Sequence, residues 1–311
     1  MRAGFISVLM ELAKEDENIF LLVADVGYRL VEPFAEQFPG RFVNIGIAEQ
    51  NMIGIAAGLA LSGKTVFTYS IANFPTLRCL EQIRNDVCYH NCNVKIVSSG
   101  GGLIYGALGT THHVTEDAAI MRTLPNMTVV SPGDPKEAAL ATRSIARLPG
   151  PCYLRLGRTG DPEVHRTDPD FQIGKAIKVL DGNDITLIAS GGILPNVVQA
   201  AEQLSEQSIK ARVLSMHTLK PLDKEAVISA AEETGVIITI EEHNITGGLG
   251  SAVAETLLDT GSTGARLVRM GIPDMFTTRV GNRDYLLDGY SLSVEGIVES
   301  VNNTLKYRKQ V

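Results

Sequence analysis

Short apolar runs alternate with longer helical patterns along almost the whole chain, and few folds accept that alternation. Ile19–Ala24 (IFLLVA) carries no polar residue, the mark of a strand buried on both faces. Phe42–Ile45, Thr65–Tyr69, Val94–Ser98, Met127–Val130 and Cys152–Leu156 read as further strands. Helical patterns at 2–14, Glu49–Leu61, Leu77–Tyr89 and 135–146 separate them. Repeated β-α-β units of this kind build a parallel sheet covered by helices. The stretch 157–174 is rich in Gly, Asp, Pro and Thr and has no sustained period, which marks a boundary. Beyond it the alternation restarts, with strands at Ile185–Ala189, Ala211–Ser215, Val236–Glu241 and Ala265–Met270. Helices are expected at 195–207, Lys224–Glu233, Gly250–Asp259 and Ser293–Lys306. The expectation is two parallel or mostly parallel α/β sandwich domains, at 1–160 and 175–311, joined by a linker at 161–174.

The 311 residues suit two domains. Lys plus Arg is 28 and Asp plus Glu is 35, so the formal charge is 28 − 35 = −7, which disfavours nucleic acid and anionic membranes as partners. No apolar run approaches the ~20 residues of a membrane span. The first residues (Phe5, Val8, Leu9, Leu12) are amphipathic rather than a secretion core. Four cysteines, sparse for the length, point to a cytoplasmic location with reduced thiols. Cys88-Tyr-His90-Asn-Cys92 offers three metal ligands with no obvious fourth, so these read as buried thiols and no metal site is assigned.

The most informative segment is Arg41–Gly63, RFVNIGIAEQNMIGIAAGLALSG. A strand leads into a Gly, and the sole carboxylate, Glu49, opens a long apolar helix. Gly54 and Gly58 would let another backbone come close. Taken alone, Glu49 is either an acid favoured by the positive helix terminus or a carboxylate with a chemical role. The Gly-rich loop GGGLIYGALGTTHH (100–113) lacks the terminal Gly-Lys-Ser/Thr of a phosphate loop.

NIGIAEQNMIGIAAGLALSG resembles the pyrimidine-binding domain of transketolase-type thiamine diphosphate enzymes. PNMTVVSPGDPKEA (125–138), TLKPLD (218–223) and IEEHNITGGLGSAVAE (240–255) resemble later parts of the same family in the same order. The chain looks most like the separate C-terminal subunit of a split transketolase. By that resemblance Glu49 bonds the cofactor's pyrimidine nitrogen and favours the tautomer whose amino group acts as base. Phe74 falls at the stacking position beside it, and Ile71 lines the pocket where transketolases usually have another Phe. His112 matches a His that serves the reacting end of the sugar. Arg158 matches a phosphate-contacting Arg, Arg2 falls where another stands, and Arg29 is a substitute suggested by its strand-end position.

Departures accompany the matches. Leu108 replaces an Asp that contacts a substrate hydroxyl, Gly100 replaces a position where many transketolases carry a phosphate-contacting His, and His113 replaces Gln; these bear on which sugar is recognised. The family's Gly-Asp-Gly motif with its later Asn, which holds Mg²⁺ and the diphosphate, is missing from the sequence. The resemblance therefore implies thiamine diphosphate with Mg²⁺ ligands on a partner chain, an N-terminal diphosphate-binding subunit in an α2β2 assembly. The implied reaction moves a two-carbon ketol unit from a ketose, phosphorylated by expectation, to an aldehyde. Alternatives are a 2-oxo-acid decarboxylating subunit, as in 2-oxo-acid dehydrogenases or deoxyxylulose-phosphate synthase, and a non-catalytic scaffold of the same fold. A Rossmann dehydrogenase is disfavoured, because neither domain opens on a strand-Gly-x-Gly-x-x-Gly-helix fingerprint.

Overall fold

The computed structural model describes residues 1–158, 160–262 and 264–308. Two sheets organise these residues. The strands are β1 (Ile19–Val23), β2 (Phe42–Asn44), β3 (Thr65–Ile71), β4 (Val94–Ser99), β5 (Thr128–Val130), β6 (Cys152–Leu156), β7 (Ile177–Leu180), β8 (Ile185–Ser190), β9 (Ala211–Ser215), β10 (Thr218–Lys220), β11 (Val236–Asn244) and β12 (Arg266–Ile272). The first sheet has the order β10-β5-β6-β4-β3-β1-β2 and the second β12-β11-β8-β9-β7. β1 to β6 run parallel, so their C-terminal ends share one edge. β4 and β6 are buried along their whole length, as strands covered on both faces must be.

Both sheets are mostly parallel, as expected, and each carries one antiparallel strand that the sequence reading does not include. β7 pairs with β9 at one edge of the second sheet. β10 lies beyond the boundary stretch yet pairs with β5 of the first sheet. The two halves are thus joined by a strand as well as by side chains: Met127 and Val129 share one apolar cluster with Leu214, Met216 and Leu219. The boundary stretch is itself fastened. The Asp134 carboxylate caps the helix Pro135–Arg147 and also accepts from the backbone of Val164 and His165 at 2.9 and 3.0 Å. His165 bonds Glu137 at 2.8 Å, and Phe171 stacks on His217 with ring centroids 4.0 Å apart.

The helix Glu49–Leu61 forms as expected. It buries Met52, Ile53, Ala56 and Ala57 against the first sheet, and leaves Gly54, Gly58 and Leu61 exposed. The segment 77–89 is not one helix. Short helices Asn73–Thr76 and Leu80–Gln82 lead into a wider π-type turn at Ile83–Cys88. All four cysteines are free and buried, and burial pushes the Cys79 thiol up to about 12 and the Cys88 thiol up to about 11. Among the described residues no group of three or more His, Cys, Asp or Glu is placed to hold a metal ion, and no helix is long and apolar enough to cross a membrane.

Candidate active site

The candidate residues follow the C-terminal ends of the parallel strands, where ligand sites of open α/β sheets form. Glu49 lies beyond β2, Phe74 beyond β3, His112 beyond β4, Arg158 beyond β6 and Arg29 beyond β1. Arg2 opens the first helix, Arg2–Glu15.

Glu49 is 2% exposed at the first turn of its helix, where the unpaired N–H groups favour a negative charge. Its Oε2 accepts a hydrogen bond from Arg78 Nη1 at 2.6 Å. The Arg78 guanidinium also lies over the Phe74 ring, 5.0 Å from its centroid. Phe74, half-buried, meets the His112 imidazole edge to face at 5.5 Å. His112 in turn lies 6.4 Å from the Tyr105 ring. The Tyr105 hydroxyl is 3.4 Å from Ser99 Oγ at the end of β4. A continuous line of contacts therefore runs from Glu49 through Arg78, Phe74 and His112 to Tyr105.

Beyond Ser99 comes the Tyr69 hydroxyl, whose pKa burial raises above its ordinary value and the neighbouring Ser99 and Arg2 side chains pull back only in part. Arg2 Nε and Tyr69 Oη are both buried without a hydrogen-bond partner. The amino group of Met1 donates to the Arg158 carbonyl at 3.1 Å, so Arg158 belongs to the same end of the line as Arg2. The Arg158 side chain is half exposed, with Asp161 3.9 Å from its Nε. Arg29 stands apart. It is exposed, has φ +62°, and lies over its neighbour Tyr28 at 5.4 Å. Ile71 is half-buried at the end of β3.

The loop that carries His112 is fastened from the second domain. Leu103 N donates to Glu242 Oε1 at 2.7 Å, and Gly102 bridges Val114. Arg283 grips the same carboxylate, with Nε at 3.1 and 3.0 Å from its two oxygens and Nη2 at 2.6 Å. Beneath the loop, Arg155 Nε donates to Asp117 at 2.8 Å, and Arg155 Nη2 holds the Val114 carbonyl. Glu241 and His243 serve neighbouring backbone. Glu241 accepts from Leu249 N and Gly250 N at the start of the helix Leu249–Asp259, and His243 Nε2 accepts from Ala119 N. Leu108, on the outside of the loop, is 56% exposed and offers substrate no hydrogen bond. His113 points inward and bonds the Gly106 carbonyl at 3.2 Å.

Arg78, Tyr105, Glu242 and Arg283 are not singled out by the sequence. For Arg78 a signal exists: it follows Phe74 by four residues, the spacing that puts two side chains on one helical face. For Glu242 and Arg283 there is none, because the partners are far apart in the chain.

Family models match both halves of the chain: the transketolase pyrimidine-binding domain over residues 1–160 and the transketolase C-terminal domain over 174–297. The chain belongs to the transketolase family. It is similar over nearly its whole length to separate subunits of two-chain enzymes. An apulose-4-phosphate transketolase subunit from Phocaeicola vulgatus is 43% identical, covering 98% of this chain and 97% of its own. A subunit of the 6-deoxy-6-sulfo-D-fructose transketolase of a Clostridium species is 39% identical, covering 97% and 93%. A split-gene transketolase solved as an inactive beta4 tetramer superposes with a TM-score of 0.90 at 39% identity, covering 98% of each chain. This chain is accordingly a transketolase-like transferase subunit of a two-chain enzyme, and its family is one that uses thiamine diphosphate.

Proposed function

We propose that this subunit supplies the pyrimidine half of a thiamine diphosphate site shared with an N-terminal diphosphate-binding subunit, and that the assembled α2β2 enzyme transfers a two-carbon ketol unit from a phosphorylated ketose to an aldehyde. The observation that carries the reading is the pairing of a sealed carboxylate, Glu49, with an aromatic ring, Phe74, on either side of one flat N–H-bearing group, the Arg78 guanidinium. That setting suits an aminopyrimidine, which needs an acid at its ring nitrogen and a ring against its face. Ile71, half-buried at the end of β3, lines the apolar side of the same pocket in this reading.

The cofactor, when bound, would supply a nucleophilic carbon for chemistry at the ketose carbonyl. Glu49 would hold the proton at the pyrimidine nitrogen, which favours the amino group on the same ring as base. Phe74 would hold the ring in place from its face, and the apolar surroundings exclude water. His112, in edge contact with Phe74, donates or accepts a proton at the sugar oxygen beside the reacting carbon. Arg158 and Arg2 lie at the far end of the line, where the phosphate of an extended sugar would reach. Arg29 is a further anion contact that would act only on the portion of ligand or partner above β1.

The Mg²⁺ ligands belong to the partner in this reading, since the sequence has no Gly-Asp-Gly motif. The open face of the helix Glu49–Leu61 supports a partner as well. Apolar nearly all round, it exposes Gly54, Gly58 and Leu61, and helices of that composition are normally covered. Four buried thiols without a disulfide favour the cytoplasm. The test is calorimetric titration of thiamine diphosphate and Mg²⁺ into this chain alone and into its mixture with the partner, followed by a ketose–aldehyde screen. Tight binding confined to the mixture, with ketol transfer and no release of CO₂, is expected. Tight binding by this chain alone refutes the shared site.

A further inference from the structure

We infer that Arg78 is a plug for the pyrimidine site: in the free subunit its guanidinium takes both contacts that the aminopyrimidine ring makes, and the cofactor enters by displacing it. The inference rests on the assignment of Glu49 and Phe74 to the pyrimidine. One guanidinium satisfies two separate groups at once. Nη1 donates to Glu49 Oε2 at 2.6 Å, and the same planar group covers the Phe74 ring at 5.0 Å. A guanidinium is flat and presents N–H donors in its own plane, as an aminopyrimidine does, and it stacks on aromatic faces.

The two ends of the pair are held very differently. Glu49 is sealed at 2% exposure, whereas the Arg78 side chain is 47% exposed and can swing into water without desolvation. The Arg78 backbone is fixed, because its carbonyl accepts from Gln50 Nε2 at 3.1 Å. The side chain is therefore the movable part. Without Arg78, a buried carboxylate in the free subunit would be left unpaired. With it, every cofactor molecule must first break a charge-assisted hydrogen bond, so the free subunit discriminates against the pyrimidine until other contacts contribute.

The experiment is calorimetric titration of thiamine, which carries the pyrimidine but no diphosphate, into the full chain and its variants. Arg78→Met keeps the stem and removes charge and donors. It is expected to bind thiamine about tenfold more tightly than the wild type. Arg78→Lys keeps the charge but not the flat fork, and should fall between the two; it also serves if the Met variant folds poorly. Thiamine affinity unchanged or reduced in Arg78→Met, or no detectable binding at millimolar thiamine, overturns the plug. Glu49→Gln separates this from the underlying reading. In the Arg78→Met background it should abolish the gain. A gain that survives Glu49→Gln means that Glu49 does not hold the pyrimidine, and both inferences then fall. Loss of the gain in the double variant, with a gain in the single one, supports both.

Discussion

The Tyr105 ring occupies the space that a side chain at position 100 would need. A Cβ on Gly100 would lie 2.0 Å from Tyr105 Cε2, and Gly100 has φ +87°, a conformation that favours glycine. The ring arrives from five residues further along and stands beside His112, 6.4 Å between ring centroids. Its hydroxyl lies 3.4 Å from Ser99 Oγ.

Gly100→Ala is expected to destabilise the chain by roughly 2–4 kcal/mol, from overpacking together with a strained backbone. Gly100→Ala with Tyr105→Gly should recover the packing part and leave the conformational part, about 1–2 kcal/mol. Urea denaturation of both variants checks this. Equal losses in the single and double variants would mean that Tyr105 can move aside freely.

Arg283 acts on the His112 loop through Glu242. Arg283→Met leaves a carboxylate that is 3% exposed without its cation, at an expected cost of about 3–5 kcal/mol. The loss should appear as faster amide exchange at Leu103, whose N–H bonds that carboxylate, and along the loop to His113. Exchange confined to the neighbourhood of Arg283 would show that the loop does not depend on the clamp.

His217 and His165 respond to pH in opposite directions. Burial pushes the His217 imidazole down to about 4. Its neutral form stabilises the fold above the unfolded value of about 6.5, and that contribution is lost as pH falls from there toward 4, on the order of 3 kcal/mol in total. For His165, burial pulls downward but the Glu137 hydrogen bond and charge outweigh it, so its pKa is raised. Its contribution is complete below about 6.5 and is lost as pH rises through the folded value. His217→Phe keeps a ring against Phe171 and should flatten the acid limb of the stability curve. An unchanged slope between pH 6.5 and 4 would assign that limb to other groups.

The strands other than β7 and β10 are legible because a parallel sheet covered on both faces leaves apolar runs that stand out in the sequence; Cys152–Leu156 has the ends that the sequence predicts. β10 was not legible, since three residues carry no period and their place depends on β5, far away in the chain. The π-type turn at Ile83–Cys88 was hidden because its residues are as apolar on one side as those of an ordinary helix. At the site, Glu49 stood out as a lone carboxylate in an apolar helix, and resemblance supplied the positions of Phe74 and His112. The ion pair that holds Glu49 and the Glu242–Arg283 clamp were not visible, because nothing in the sequence says which cation meets which acid.

His112→Ala should lower kcat of the assembled enzyme by about 10²- to 10⁴-fold while leaving thiamine diphosphate affinity near the wild-type value. That split follows from the proposed role of His112 at the sugar rather than at the pyrimidine. Equal losses in cofactor affinity and turnover would move His112 to the cofactor.

The Glu49 carboxylate, in the proposed function, activates the cofactor. The direct measurement is kcat for ketol transfer by Glu49→Gln, paired with the partner chain and saturated with thiamine diphosphate and Mg²⁺, alongside circular dichroism to confirm folding. A folded variant with kcat reduced by at least about 10²-fold is the predicted result. A folded variant that turns over near the wild-type rate would contradict the account.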